Sequence, residues 1–312
     1  MASSELLILG AGPAGCAAAL TWLASGHSVT LLETEGASRK IPGETLHPAA
    51  EPLFRQLGIW DEVMGCGFHR HAGIWREDES GRRTFTPYGR DENGDWLGIQ
   101  ADRPALNAIL RQKVVELGGT LRRVKRLESA CRKKSPVWRL RADGEDYETP
   151  MLFDATGHRG WLTKKLDIPC EYRGPAQRLS FGWIGQDTDE FPRNPLFKRH
   201  AEGWDWLAPL AAGRSAWAKL RRAPNAAGMD ATWRIFRECA GAGYFLLGDA
   251  ASYMDPSAAN GVLRAMMSGI YAANLAGGVA GGGDPDAAAR EYCRWVSQLF
   301  DTTYAAGAVP NF

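Results

Sequence analysis

The stretch Glu5 to Leu9 is a short, nearly continuous apolar run that stops at Gly10-Ala11-Gly12-Pro13-Ala14-Gly15, and this pattern restricts the fold more than any other segment. An apolar run of that length reads as a strand covered on both faces. Pro13 to Ser25 is rich in Ala and Leu, with proline near its start and Gly26 just past its end, so it reads as a helix. Val29 to Leu32 is a second strand and completes a βαβ unit. Each glycine then has its own task. Gly10 permits the tight turn, Gly12 lets backbone approach a pyrophosphate, and Gly15 lets helix pack on strand. Pro13 and Ala14 open the helix, whose N-terminal N–H groups and positive dipole end would face the phosphates. Glu33 closes the second strand, roughly 20 residues on, where a carboxylate accepts hydrogen bonds from an adenosine ribose. These residues predict a dinucleotide site without separating nicotinamide from flavin.

With 312 residues, 45% of them hydrophobic, the chain is expected to form two globular domains. Pro104 to Leu117 places Leu106, Leu110, Val114 and Leu117 at helical spacing before Gly118-Gly119, which predicts an amphipathic helix with a stop. Met151 to Ala155 and Tyr244 to Leu247 are further short apolar runs, each leading into a Gly/Asp pair. Segments from about Phe68 to Leu97 and Pro169 to Glu238 are rich in Trp, Arg, Gly and Pro and read as an inserted, sheet-rich domain. The resulting division is 1-67, 98-168 and 239-312 for the nucleotide domain, with 69-97 and 169-238 for a substrate domain. Ala265 to Gly283 carries no charge, but it is crowded with Gly and Ala and interrupted by Ser268 and Asn274; it reads as a buried, closely packed helix and no membrane span.

Three later motifs carry a resemblance. Asp154-Ala-Thr-Gly157 follows an apolar strand; Gly248-Asp249-Ala-Ala is followed by Asp255-Pro256-Ser-Ala-Ala-Asn-Gly261; and Arg103, Leu106 and Leu110 form Arg-x-x-Leu-x-x-x-Leu. In this order they resemble the FAD motifs of flavin-dependent aromatic monooxygenases and halogenases, from residue 4 to about 275. The resemblance implies an α/β fold with a Rossmann-like FAD-binding domain of the glutathione-reductase/aromatic-hydroxylase type and an inserted, mainly antiparallel substrate sheet. It implies FAD as cofactor, held by Arg103, Gly157, Gly248 and Pro256 besides the first motif. Asp249 offers the ribityl hydroxyls a charged acceptor. Gly261 and Val262, opening a helix, present N–H groups to the flavin pyrimidine edge. Arg39, just after the ribose-binding strand, is a cation for the phosphates. No second glycine fingerprint is visible, so NAD(P)H or another donor would bind transiently.

Two further segments concern the reaction. Lys40-Ile-Pro-Gly43-Glu44-Thr-Leu-His47-Pro48 resembles the Gly-Glu-Ser/Thr loop of halogenases and of the flavoproteins that mature cysteine tryptophylquinone in partner oxidases. Gly203-Trp204-Asp-Trp206-Leu-Ala-Pro209-Leu resembles the halogenase Trp-x-Trp-x-Ile-Pro stretch, with Ala208 in place of isoleucine. Glu44, His47, Trp204 and Trp206 are therefore the candidate catalytic residues, with His47 a candidate general base. Trp204 and Trp206 also fit one wall of a sheet, since alternate residues share a face. The expectation is a monooxygenase that activates O2 on reduced FAD and oxygenates an aromatic group, including the tryptophan of a partner polypeptide. The alternatives are a halogenase, whose directing lysine Lys40 would approximate at contracted spacing, a flavin-dependent C=C reductase, and a non-catalytic flavin-bound chaperone.

Other classes are disfavoured. A formal charge of +1 without a basic stripe gives no footprint for nucleic acid. Six cysteines without a Cys-x-x-Cys pair argue against zinc, iron–sulfur or a disulfide framework, and predict reduced, mostly buried thiols. His69 and His71 alternate in a strand and lack a third ligand, so no metal site is expected. The start Met1-Ala-Ser-Ser-Glu5 has no basic leader region, which predicts a cytoplasmic protein.

Overall fold

The computed structural model describes residues 2–35, 43–132, 136–184, 193–210, 214–241, 243–258 and 260–307. Strand β1 (Leu6–Leu9) is buried along its whole length, as expected of a central strand covered on both faces. It turns through the glycines into helix α1 (Pro13–Ala24), which ends at Gly26 with φ +81°. Strand β2 (Val29–Thr34) runs two residues further than its apolar core and so carries Glu33 within it. Helix α2 (Arg103–Glu116) begins where the Asp102 carboxylate accepts from Ala105 N–H at 3.0 Å, and it buries Leu106, Leu110 and Val114. Strands β3 (Thr120–Val124) and β4 (Met151–Asp154) follow.

The chain then builds β5 (Arg178–Ile184), β6 (Gly203–Leu210) and β7 (Arg214–Arg221). It returns through β8 (Ala240–Gly241) and β9 (Tyr244–Leu246) to two long helices, α3 (Gly261–Ala280) and α4 (Pro285–Ala305).

The six-stranded sheet has the order β3-β2-β1-β4-β9-β8, parallel except for the edge strand β8. A seven-stranded sheet joins β5, β7 and β6 to Met229–Asp230, Leu196–His200, Gly73–Glu77 and Arg83–Pro87. It is antiparallel apart from the pairing of Leu196–His200 with Gly73–Glu77. A three-stranded sheet sets Gly98–Asp102 between Gly43–Leu46 and His69–His71. Two apolar clusters result. The larger surrounds the parallel sheet and takes in Trp233 and Ile235; the smaller, built on Ile74, Leu179, Phe197, Trp204, Leu220, Ala231 and Tyr253, lies under the second sheet.

The uncharged segment around residue 270 forms α3, packed on α1. A methyl on Gly269 would stand 2.2 Å from the Ala14 carbonyl oxygen, so the two backbones meet where only glycine fits. Among the described residues no helix is long and apolar enough to cross a membrane.

Candidate active site

A cavity of about 620 Å³ runs from the C-terminal end of β2 to the inner face of the antiparallel sheet. Its first third is the glycine turn. Gly10, at φ +99°, lies so close to the end of β4 that a methyl would be 2.5 Å from Ala155 O; one on Gly15 would be 2.1 Å from Gly10 O. Gly12 has nothing within 4 Å of such a methyl and faces open cavity at the start of α1, beside Pro13 and Ala14. Gly15 is therefore a packing residue behind the wall.

Glu33 lines the same end but is already engaged. Its carboxylate accepts from Ala11 N–H at 2.5 Å and from Arg111 at 3.0 Å, while Arg111 Nε donates to Ala11 O at 2.9 Å. The ring so formed braces the glycine turn. Sequence reasoning missed Arg111. Its signal was the step of four along α2, which puts Arg103, Asn107 and Arg111 in one row on the cavity wall. Lys125, Arg126, Arg159 and Lys164 add cations to this wall.

The middle of the cavity gathers Glu44, Arg103, Gly157, Asp249, Pro256, Gly261 and Arg264. Arg103 donates to Glu44 at 2.7 Å. Burial pushes the Glu44 carboxyl above its ordinary range, Arg103 pulls it back, and Asp249 pushes it up again. A methyl on Gly261 would lie 3.8 Å from Glu44 Oε1, so Glu44 sits between Arg103 and the start of α3. Arg264, one turn into α3, was not anticipated: burial pulls its guanidinium down, and Asp249, Tyr253 and Asp255 push it back.

A buried polar chain also reaches this wall. Thr45 Oγ1 donates to Gln100 Oε1 at 2.9 Å, Gln100 Nε2 donates to His71 Nε2 at 3.1 Å, and His71 Nδ1 donates to Gly73 O at 3.0 Å. Desolvation holds His71 down at about 4, consistent with a neutral ring. It is thus a supporting residue, and among the described residues no cluster of ligands could hold a metal.

Two expected site residues stand elsewhere. His47 is absent from the cavity wall: its Nδ1 accepts from Ala49 N–H at 3.1 Å and its ring meets Tyr88 edge-on at 4.9 Å, so the loop turns it away from the site. Gly248, at φ +56°, lies behind the main wall and donates to Ser268 Oγ at 2.8 Å. The Val262 side chain is buried in the larger core, at the start of α3. Arg39 and Lys40 lie outside the described residues.

The far end is an apolar wall. On β6, Trp204, Trp206 and Ala208 alternate onto the cavity. Trp206 is paired across β7 with Ala218, and Ala218 with Phe181 of β5, so a row from three strands faces inward. Trp204 is anchored: its Nε1 donates to Asp255 Oδ1 at 3.0 Å, and the same oxygen accepts from Ser257 N–H at 2.8 Å. The two sequence readings of these tryptophans, sheet wall and cavity face, therefore describe one arrangement.

Residues 3–212 match the model of a family described as FAD binding domain. The chain belongs to this family. Among curated relatives of the FAD-binding chain, a flavin-dependent halogenase of Armillaria mellea is 22% identical, over 97% of this chain and 72% of its own. A 6-methylpretetramide 4-monooxygenase of Streptomyces rimosus is 38% identical over 36% of this chain and 26% of its own. The chain spans 60% or less of three of the first four halogenases it matches. The structure of the flavin-dependent brominase Bmp2, in a triple mutant, superposes with TM-score 0.81 at 21% identity over 97% of this chain and 89% of that one, which shows a shared fold. The chain is thus an FAD-binding protein similar in sequence to flavin-dependent halogenases and a monooxygenase.

The cavity fits that cofactor. Its glycine turn and α1 N-terminus suit a pyrophosphate, the Glu33 end suits an adenosine, and Asp249 with the start of α3 suits the ribityl chain and pyrimidine edge. FAD bound here would supply redox chemistry, and these residues would hold and orient it.

Proposed function

We propose that this protein is a flavin-dependent monooxygenase that oxygenates an aromatic group lodged against the Trp204, Trp206 and Phe181 wall. The cavity face of β5, β6 and β7 carries the reading. Leu179, Phe181, Trp204, Trp206, Ala208, Ala216 and Ala218 offer aromatic and aliphatic surface there, with alanines leaving room for a planar ring. Among the described residues the lysines lining the cavity are Lys125 and Lys164. Lys125 follows β3, whose last residue pairs with Thr34, and so belongs to the Glu33 end. Hypohalous acid would need an amine at the apolar wall, and neither of the two cavity-lining lysines belongs to β5, β6 or β7.

In this reading the discontinuous nucleotide domain (1-67, 98-168, 239-312) holds FAD and the inserted one (69-97, 169-238) holds substrate. Glu44 is a positioning group between Arg103 and α3. NAD(P)H or another donor reduces the flavin in passing. A tryptophan side chain on a partner polypeptide is one candidate for the aromatic group. The halogenase relatives favour a second reading, in which the directing amine is Lys40.

The experiment uses FAD-loaded protein, chemically reduced, then given isotopically labelled O2 with indole, phenol and tryptophan-containing peptides, each with and without bromide. Labelled oxygen in the product is expected, with Lys40→Ala turning over within about threefold of wild type, under 0.7 kcal/mol of barrier. Brominated product that disappears in Lys40→Ala, with FAD still bound, would replace oxygenation by halogenation.

A further inference from the structure

Cys239 and Cys293 are separated by 54 positions in the chain, yet their sulfurs lie 3.7 Å apart. Among the described residues theirs is the one sulfur–sulfur contact. Cys239 is fully buried just before the edge strand β8, and Cys293 is part-buried on α4. The backbone around the pair is fixed. Leu246 N–H donates to Cys239 O at 2.8 Å, and the Tyr292 hydroxyl, one residue before Cys293, donates to Leu246 O at 2.8 Å. Sheet and helix therefore hold the two sulfurs together.

The pair is also asymmetric. The Cys239 S–H donates to the Cys293 sulfur, which lowers Cys293 from the ordinary thiol range against the opposing effect of its burial. The same hydrogen bond, with burial, pushes Cys239 up. Glu238, Tyr244 and Tyr292 are the other titratable groups facing the pair. Cys293 has the character of an attacking thiolate and Cys239 of a resolving thiol.

We propose that Cys239 and Cys293 form a peroxide-sensitive dithiol that closes to an intramolecular disulfide and clamps α4 to the outer edge of the parallel sheet. The Cys293 thiolate attacks hydrogen peroxide, forming an S–O bond as the O–O bond breaks and hydroxide leaves. Cys239 then attacks that sulfur; the S–S bond forms, the S–O bond breaks, and the departing hydroxide takes up the thiol protons as water. Each sulfur loses one electron, the two peroxide oxygens are reduced, and two thiols plus peroxide give one disulfide and two waters. The sulfurs must close from 3.7 Å to about 2.05 Å. The loop so closed contains Asp249, Gly261 and Arg264, which line the middle of the cavity. This site does not depend on which reaction the flavin performs.

The test uses FAD-loaded protein carrying Cys66→Ser and Cys131→Ser, which removes the two exposed thiols. After equimolar hydrogen peroxide and denaturing alkylation, the intact protein should carry two fewer alkyl groups than the untreated control, and a dithiothreitol-sensitive peptide should join Cys239 to Cys293. Closing a loop of this length should raise Tm by roughly 5 °C. Adding Cys239→Ser or Cys293→Ser should abolish both changes, and the Cys239→Ser protein should instead trap a dimedone adduct at Cys293. Separate alkylation of both cysteines after peroxide overturns the proposal, as does sulfinic acid at Cys293 with Cys239 still free.

Discussion

A methyl group on Gly15 would stand 2.1 Å from the Gly10 carbonyl oxygen, whereas one on Gly12 meets nothing within 4 Å. The two positions should therefore fail differently. Gly15→Ala forces the turn away from α1 and should lower stability by about 1–3 kcal/mol, read as a fall in the urea midpoint even without cofactor. Gly12→Val should leave apoprotein stability within about 0.5 kcal/mol and abolish FAD retention, because its side chain occupies space the pyrophosphate needs. Retention of FAD by Gly12→Val would remove the turn from the site. Asp249→Ala should weaken FAD binding by roughly 2–3 kcal/mol, about a hundredfold, and it also deprives Arg264 of a neighbouring carboxylate. Wild-type affinity in that variant would leave Asp249 only a structural part. The close backbone approach at Gly10 and Gly15 and the place of Asp249 on the cavity wall were legible in the sequence, because a tight turn and a strand-end motif use particular residue types. Arg264, Gln100 and Phe181 were not, since they become site residues only when distant strands and helices bring them to one wall.

At the level of elements, β1, α1, β2 and α2 were legible from apolar runs and Pro/Gly punctuation, within a residue or two. Helix α4 was not read, although Tyr292, Val296 and Phe300 recur every four residues on its buried side; its other faces carry enough charge to obscure the stripe. The strands of the second sheet were placed as a block only. In β7, Arg-Ser-Ala-Trp-Ala-Lys-Leu-Arg, small and charged residues blur the alternation that locates a strand. The hydrogen bond from Trp204 to Asp255 ties that sheet to the loop before α3, and it has a pH signature. Burial raises the Asp255 carboxyl above its ordinary value of 3.8, opposed by the bonds from Ser257 and Trp204. A carboxyl raised in the folded state contributes its full stability below about pH 3.8 and loses it as pH rises through the folded value. An asparagine keeps an oxygen for Trp204 and Ser257 but carries no charge. Asp255→Asn should therefore gain on wild type as pH rises from about 4 to 7, with the difference vanishing in acid. A difference in Tm that is constant with pH would show that Asp255 is not held with a raised pKa.

For the whole molecule, residues of both apolar clusters line the one cavity, among them Leu32 and Leu247 of the larger and Leu179 and Trp204 of the smaller. Charge is distributed accordingly. A chain of net charge +1 brings Arg103, Arg111, Lys125, Arg126, Arg159, Lys164 and Arg264 onto one cavity, against Glu33, Glu35, Glu44 and Asp249. These seven cations come from four separate stretches of sequence, so only folding reveals a surface suited to a diphosphate. A ligand that spans this length links stability to binding: at a hundred times its Kd it adds about 2.7 kcal/mol to the folded state. FMN offers the isoalloxazine and one phosphate, and leaves the Glu33 and Arg111 end without an adenosine to hold. FAD should raise the Tm of apoprotein by several degrees, whereas FMN at equal concentration should leave it near the apo value. Protein purified with its cofactor should release FAD on denaturation. Equal shifts from the two flavins would mean that the glycine turn and Glu33 contribute no binding energy, and would break the link between the first motif and the cofactor.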